Sequence, residues 1–292
     1  MNIEIVNACS DLGVSVVGSE LGPLKLSGYL KTDARVSNVH LLGKPNVEKN
    51  LDKQNKKKNI DGINTFNTAL YNKILEIKSH GNIPITIGGD HSISIATSLA
   101  TLKNDGENLG LIWIDAFADY NTFDTSPTGN IHGMPLITVN GKNGKELTLF
   151  HEGRYYDPSK SVLIGARNFD HFEYSYLNEA GVTVFTTDDI KNKGIDSIVS
   201  KGLEIAGNNT TGMYVSIDIS VIDPIECPAV STLAQDGIER TVFFDILSKL
   251  LEYKQHIKGI DVTEYNPSRD KENQTYIIMV NILEKLITSF KS

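Results

Sequence analysis

Cysteine is scarce: the chain has 292 residues and only two, Cys9 and Cys227, with no CxxC spacing. That excludes a disulfide framework and fits a reducing compartment, so a cytoplasmic protein is expected. Long apolar runs are also missing. No stretch approaches the roughly 18–20 continuous apolar residues that a membrane span requires, and residues 1–17 have neither the basic start nor the apolar run of a secretory leader. An excess of basic charge is absent as well, since 36 acidic residues against 28 basic ones leave a net charge of −8. Nucleic acid and anionic membranes, which select for clustered Lys and Arg, are therefore poor partners. The one basic cluster, Lys53, Lys56, Lys57 and Lys58, reads as a solvated loop ahead of a helix, with no aromatic residue interleaved.

What is present is ordinary globular material, with 40% hydrophobic and 22% charged residues. No repeat or Pro-rich linker divides it, and a single domain over residues 1–292 is expected. Six short β-rich runs, at residues 83–87, 110–114, 161–164, 182–185, 213–217 and 257–262, alternate with helical patterns. This predicts an α/β domain of three αβα layers with a mostly parallel central sheet. Ile63, Phe66, Leu70, Ile74 and Ile77 share one helical face that Gly81 closes, and a last apolar helix runs from about Asn273 to Phe290.

Ligands in such sheets bind beyond the carboxyl ends of the strands, and four polar segments sit there. Gly88-Gly89-Asp90-His91-Ser92 has two glycines suited to a tight turn and a histidine that reads as a metal ligand, a base or a hydrogen-bonded loop residue. Asp115-Ala116-Phe117-Ala118-Asp119 carries carboxylates that could converge on a hard cation, or could sit at a helix N-terminus favoured by its dipole. Asp218 ends an apolar strand, where a cation would relieve an otherwise costly carboxylate, while Asp223 before Pro224 reads as a turn acid. Glu264 is suited either to a cationic substrate group or to a structural salt bridge. Trp113, the only tryptophan, reads as core.

In this order, each after a strand, the four segments resemble the arginase-type ureohydrolase family, whose members hydrolyse guanidino compounds at a two-manganese centre. The likeness extends from Gly22-Pro23 to Asn266-Pro267 and includes residues 121–133, ending Thr-Gly-Asn-Ile-His-Gly, and Arg167-Asn168-Phe169-Asp170 followed by Glu173. It implies recognition of the α-carboxylate and α-ammonium of arginine by Asn121, Thr128, Asn130, Asp170 and Glu173, since amides and hydroxyls suit a carboxylate and acids suit an ammonium. It further implies that Glu264 holds the guanidinium, Thr232 supports the site and His132 serves as proton shuttle or acid. A homo-trimer or homo-hexamer is implied too.

The resemblance breaks at the second metal. The family motifs read Asp-x-His-x-Asp and Asp-x-Asp, whereas this chain has Phe117 and Ser220 at the middle histidine and the second acid. By resemblance, the first ion takes His91, Asp115, Asp119 and Asp218, all present; the second keeps only the shared Asp115 and Asp218. A phenyl ring donates no lone pair and a serine hydroxyl replaces a carboxylate poorly. The expectation is therefore one Mn²⁺ per chain and low or conditional conversion of L-arginine to L-ornithine and urea. The alternatives are a silent homologue that binds arginine or ornithine as a sensor or regulatory subunit, and a purely structural subunit. Asp236 also departs from the family, which more often has glycine there.

Overall fold

The computed structural model of the chain describes residues 2–30, 33–52 and 54–291; Met1 and Lys53, which entered the sequence reading, lie outside them. Apolar β-branched runs form the strands, and they assemble into one sheet of eight: β1 (Ile3–Ala8), β2 (Asn38–Leu42), β3 (Ile83–Gly88), β4 (Gly110–Ile114), β5 (Ser161–Ala166), β6 (Thr183–Thr186), β7 (Met213–Asp218) and β8 (Ile257–Thr263). Their order is β2-β1-β3-β8-β7-β4-β5-β6, and every pairing between them is parallel. The six predicted strands are all present.

The two unpredicted strands have a physical reason for their weak signal. Strand β1 is wholly buried but is interrupted by Glu4 and Asn7. Strand β2 is a polar, half-exposed edge. Glu4 is accommodated by the side chains of Asn82, His40 and Asn38 (2.5, 2.6 and 3.4 Å), so a buried carboxylate sits in a strand because its partners arrive from β2 on one side and from the residue ahead of β3 on the other.

Nine helices are present among the described residues: α1 (Gly22–Leu30), α2 (Ile60–Ser79), α3 (Ser94–Asn104), α4 (Pro135–Val139), α5 (Glu173–Ala180), α6 (Thr187–Lys193), α7 (Ile195–Gly207), α8 (Arg240–Leu251) and α9 (Gln274–Lys291). Helices α2, α3, α4 and α5 cover one face of the sheet, against Leu111, Trp113, Leu163 and Tyr214. Helices α1, α6, α7, α8 and α9 cover the other, against Ile112, Ile114, Ile164 and Ile217. The alternation along β4 shows the period of two that feeds both cores. Along α2 the predicted face Ile63, Phe66, Leu70, Ile74 and Ile77 is buried, each side chain contributing about 1.5–3 kcal/mol relative to exposure.

Two local expectations change. Gly88 and Gly89 do not make a left-handed turn; they are needed for close packing, because a Cβ on Gly89 would lie 2.0 Å from the Ser10 carbonyl oxygen and one on Gly88 2.6 Å from Ile93. The basic cluster is solvated at Lys56 and Lys57 but not at Lys58, which is 3% exposed. No helix among the described residues is long and apolar enough to cross a membrane.

Candidate metal centre and substrate pocket

Strands β3, β8, β7 and β4 are neighbours at the middle of the sheet, and their carboxyl ends deliver His91, Glu264, Asp218 and Asp115 to one place. His91 opens a short 3-10 turn after β3, behind Asp90, whose carboxylate accepts the Ser92 N–H. Asp115 follows β4 directly, and residues 115–130 contain no helix, so its carboxylate does not cap one. Asp119 lies in that loop at φ 51, and Glu264 follows β8 at φ 74. Two non-glycine residues held left-handed at a cost of about 1–2 kcal/mol each mark a site whose side-chain directions are imposed.

The four residues expected to hold a first metal converge. His91 Nδ1 is 2.9 Å from Asp119 Oδ2, 3.1 Å from Asp115 Oδ2 and 3.8 Å from Asp218 Oδ2. His91, Asp115 and Asp218 each present a ligand atom, all within 4.8 Å of one another. All four are buried. Despite these short distances, His91 Nδ1 and Asp119 Oδ2 have no partner with hydrogen-bond geometry. Lone pairs that meet at a common point without a shared proton are the arrangement a cation satisfies, so these residues fit a metal ion.

The electrostatics agree. Burial, and then Asp115, push the Asp119 carboxyl up to about 7, and the same two causes carry Asp218 well above the usual carboxylate range. Burial alone would lower His91, but Asp115 and Asp119 outweigh it and raise it well above its ordinary value.

Behind the cluster, His91 Nε2 is 2.9 Å from Ser216 Oγ, and the Ser216 hydroxyl donates to Asp261 Oδ1 at 2.6 Å. Asp261 Oδ2 accepts from Thr97 and Tyr214, both at 2.7 Å. Because the Ser216 proton points to a carboxylate, its oxygen is free to accept from Nε2–H, which leaves Nδ1 facing the acids and suited to a metal-ligand role. Trp113 is core as expected, yet it also stacks on the His91 ring at 4.4 Å and its Nε1–H reaches Asp115 Oδ2 at 3.3 Å.

In front of the cluster lies a cavity of about 370 Å³ lined by Asp119, Asp218, Phe117, Glu264, His132, Thr232, Asn121, Ser126, Thr128, Asn130, Asp170 and Glu173, among others. Every predicted substrate residue is therefore at one cavity. Glu264 Oε1 accepts the His91 N–H (2.9 Å) and lies 3.1 Å from His132 Nδ1, while Oε2 is buried without a partner. The structural salt bridge is therefore present through Oε1, to His132, while Oε2 faces no cation among the described residues. Burial, which alone lowers His132, is outweighed by Glu264, so His132 rises above its ordinary range; Glu264, despite burial, falls below its own.

Glu173 differs from Asp170 in exposure. Asp170 is exposed and accepts from Asn121 Nδ2 at 2.8 Å. Glu173 is buried, accepts the backbone N–H of Tyr120 (3.0 Å) and Asp170 (2.7 Å), and burial pushes it up to about 8. Phe117 lines the cavity, its N–H donating to Asp115 Oδ1 at 2.8 Å. Ser220 donates its N–H to Asp218 Oδ1 (2.6 Å), and its hydroxyl is 3.4 Å from Asp115 Oδ1. Asp223 is the turn acid expected, accepting from the N–H groups of Ile225 and Gly237.

The Arginase family model matches residues 1–288. The chain belongs to the arginase family. An arginase of Staphylococcus aureus is 32% identical over 94% of this chain and 92% of its own length, and one of Bacillus subtilis is 32% identical over 98% and 97%. The crystal structure of the Bacillus subtilis arginase superposes with a TM-score of 0.86 at 30% identity, over 98% of each chain. That of Entamoeba histolytica arginase in complex with L-ornithine does so at 0.88 and 26%, over 98% and 97%. Homology thus supports an arginase-like hydrolase, in a family that is typically metal-dependent and whose His/Asp/Asp cluster is present here.

Sequence reasoning missed Ser126, Ser216, Asp261 and Lys58. The available signal was a polar residue in an apolar setting: Ser216 and Asp261 are register partners inside buried strands. Asp236 is explained by the backbone, since its φ of 59 is a conformation that favours glycine and that aspartate tolerates. Arg167 reaches the carbonyl oxygens of Ser220, Val221, Ala234 and Gln235 at 2.8–3.0 Å, tying the turn after β7 to the loop of Thr232.

Proposed function

We propose that this chain hydrolyses L-arginine to L-ornithine and urea at one manganese ion rather than two, slowly or conditionally, as a cytoplasmic trimer or hexamer. One observation carries the reading: a buried carboxylate with an unpartnered oxygen, Glu264 Oε2, stands between a His/Asp cluster and a cavity lined by amides, hydroxyls and two further acids. A guanidinium suits that oxygen through charge-assisted hydrogen bonds. Asn121, Thr128 and Asn130 suit an α-carboxylate, and Asp170 and Glu173 an α-ammonium.

His91, Asp115, Asp119 and Asp218 would hold the ion, which supplies Lewis-acid activation of water when bound. Glu264 orients the guanidinium carbon toward that cluster. His132, held protonated beside Glu264, delivers a proton to the departing amino nitrogen, which an amine leaving group requires. Thr232 fills the cavity wall.

The residues do not fit a second ion. The Phe117 ring offers no donor atom, and Ser220 offers a neutral hydroxyl already within 3.4 Å of Asp115 Oδ1. Asp115 Oδ1 and Asp218 Oδ1 each accept a backbone N–H, which reduces the capacity of the two remaining carboxylates to bridge. The same observation supports a second reading, a silent arginine or ornithine sensor. Calorimetry with L-arginine beside a urea assay at saturating Mn²⁺ separates the two. Measurable urea release supports the slow hydrolase, tight binding with no urea supports the sensor, and neither binding nor urea contradicts both.

The Ser216 relay gives a further expected result. Ser216→Ala should leave the fold intact but weaken manganese binding about 10–100-fold, the usual effect of losing an outer-shell partner, read by competition with a chromogenic chelator.

A further inference from the structure

Lys58 is a buried lysine in the turn just ahead of α2, and its ammonium faces the loop that carries Thr128 and Asn130. Its Nζ donates to the Thr128 carbonyl oxygen at 2.5 Å, to Asn130 Oδ1 at 3.3 Å and to Ser15 Oγ at 3.5 Å. Ser15 Oγ also donates to Asn130 Oδ1, at 2.6 Å. An ammonium has protons and no acceptor, so the Asn130 amide must turn its oxygen toward Lys58. The Nδ2 edge makes no hydrogen bond among the described residues, and Asn130 lines the cavity. Thr128, whose backbone Lys58 holds, accepts the Asn130 N–H on its Oγ1 at 3.2 Å, which leaves the hydroxyl proton to donate elsewhere.

We infer that Lys58, assisted by Ser15, is the positioning residue that makes this end of the pocket specific for a carboxylate, by fixing the Asn130 amide with its N–H groups toward the ligand. This rests on the arginine-pocket reading above. Two physical effects act together. The ammonium selects one of two amide orientations, the one that presents donors, and its charge polarises the amide so that those donors are stronger. A ligand lacking the carboxylate gains from neither.

The test compares L-ornithine with putrescine, the same diamine without the carboxylate, by calorimetry on the manganese-loaded protein. The unaltered chain should prefer ornithine. Lys58→Met should weaken ornithine about 10–100-fold, the loss of a hydrogen bond to a charged group, while putrescine changes less than about threefold. Lys58→Arg should restore part of the preference. Ser15→Ala, which leaves the buried lysine in place, should weaken ornithine about 3–10-fold and keeps the inference testable should Lys58→Met fail to fold. Equal weakening of both ligands would reveal a merely structural role and overturn the inference. A preference retained in Lys58→Met and Ser15→Ala would overturn it while leaving the pocket reading standing. An unaltered chain without any preference for ornithine would overturn both.

Discussion

Phe117→His combined with Ser220→Asp should raise bound manganese from one to two per chain and increase urea release by several orders of magnitude. The two changes restore the only ligands private to the second ion, a neutral imidazole and a carboxylate, beside Asp115 and Asp218, which are already in place. The backbone is prepared for them. Arg167 holds the Ser220 and Val221 carbonyl oxygens, and Asp218 Oδ1 holds the Ser220 N–H, so an aspartate at 220 starts from a fixed turn. Histidine is smaller than phenylalanine and enters a position that lines the cavity, so no core need move. Two ions about 3.5–4 Å apart generate and orient the attacking nucleophile together. If each recovered role lowers the barrier by a few kcal/mol, at 1.36 kcal/mol per decade the rate gain is of order 10²–10⁵. Single replacements should give less of both effects than the pair, because each supplies half of an ion's private ligands. Metal analysis with a urea assay checks both quantities, and no change in either would mean that the defect lies elsewhere.

The second large effect concerns stability and follows from three acids packed around one histidine. With no ion bound, Asp119, Asp218 and His91 all have folded-state pKa values above their ordinary ones. A group whose pKa is raised by folding binds more protons in the folded chain than in the unfolded one, so stability falls as pH rises. For Asp119 the window opens near the ordinary carboxylate value of about 3.9 and closes near its folded value of about 7. For His91 it opens near about 6.5 and extends upward. Between pH 5 and pH 8 the metal-free protein should therefore lose about 2–3 kcal/mol, shared among Asp119, Asp218 and His91, whose shifts all act in the same direction. Manganese competes with those protons, so its stabilising effect should be larger at pH 8 than at pH 5. Asp218→Asn makes the cause visible. It should bind manganese far more weakly, yet be more stable than the parent in chelator at pH 8, with a flatter pH dependence. Denaturant titrations with and without Mn²⁺ read all of these quantities. A metal-free parent that grows more stable toward pH 8 would contradict the assignment.

How far the sequence alone reaches depends on how local each feature is. Six strands were legible because each is a short apolar run between turn residues. Strand β1 was not, because Glu4 and Asn7 break its run, and Glu4 is satisfied only by residues on β2 and beside β3. The convergence of His91, Asp115, Asp119 and Asp218 was legible because polar residues after strands stand out, and the family motif spacing joins them. The groups behind it were not. Ser216 touches His91 from 125 positions away, and Lys58 reaches Asn130 from 72, distances at which no local pattern connects them. Lys58 shows the limit most plainly. A run of lysines carries the signature of a solvated loop, and only the fold reveals that one of them faces inward onto the substrate loop. The glycines of Gly88-Gly89 were legible as necessary but not for the right reason, since the crowding that requires them comes from Ser10 and Ile93.

The most direct measurement is the number of manganese ions that stay with each chain. Protein saturated with Mn²⁺, desalted and analysed by mass spectrometry of the metal should carry one ion per chain, held by the His91 side of the cluster. Two tightly held ions per chain, accompanied by ordinary arginase turnover, would contradict the account.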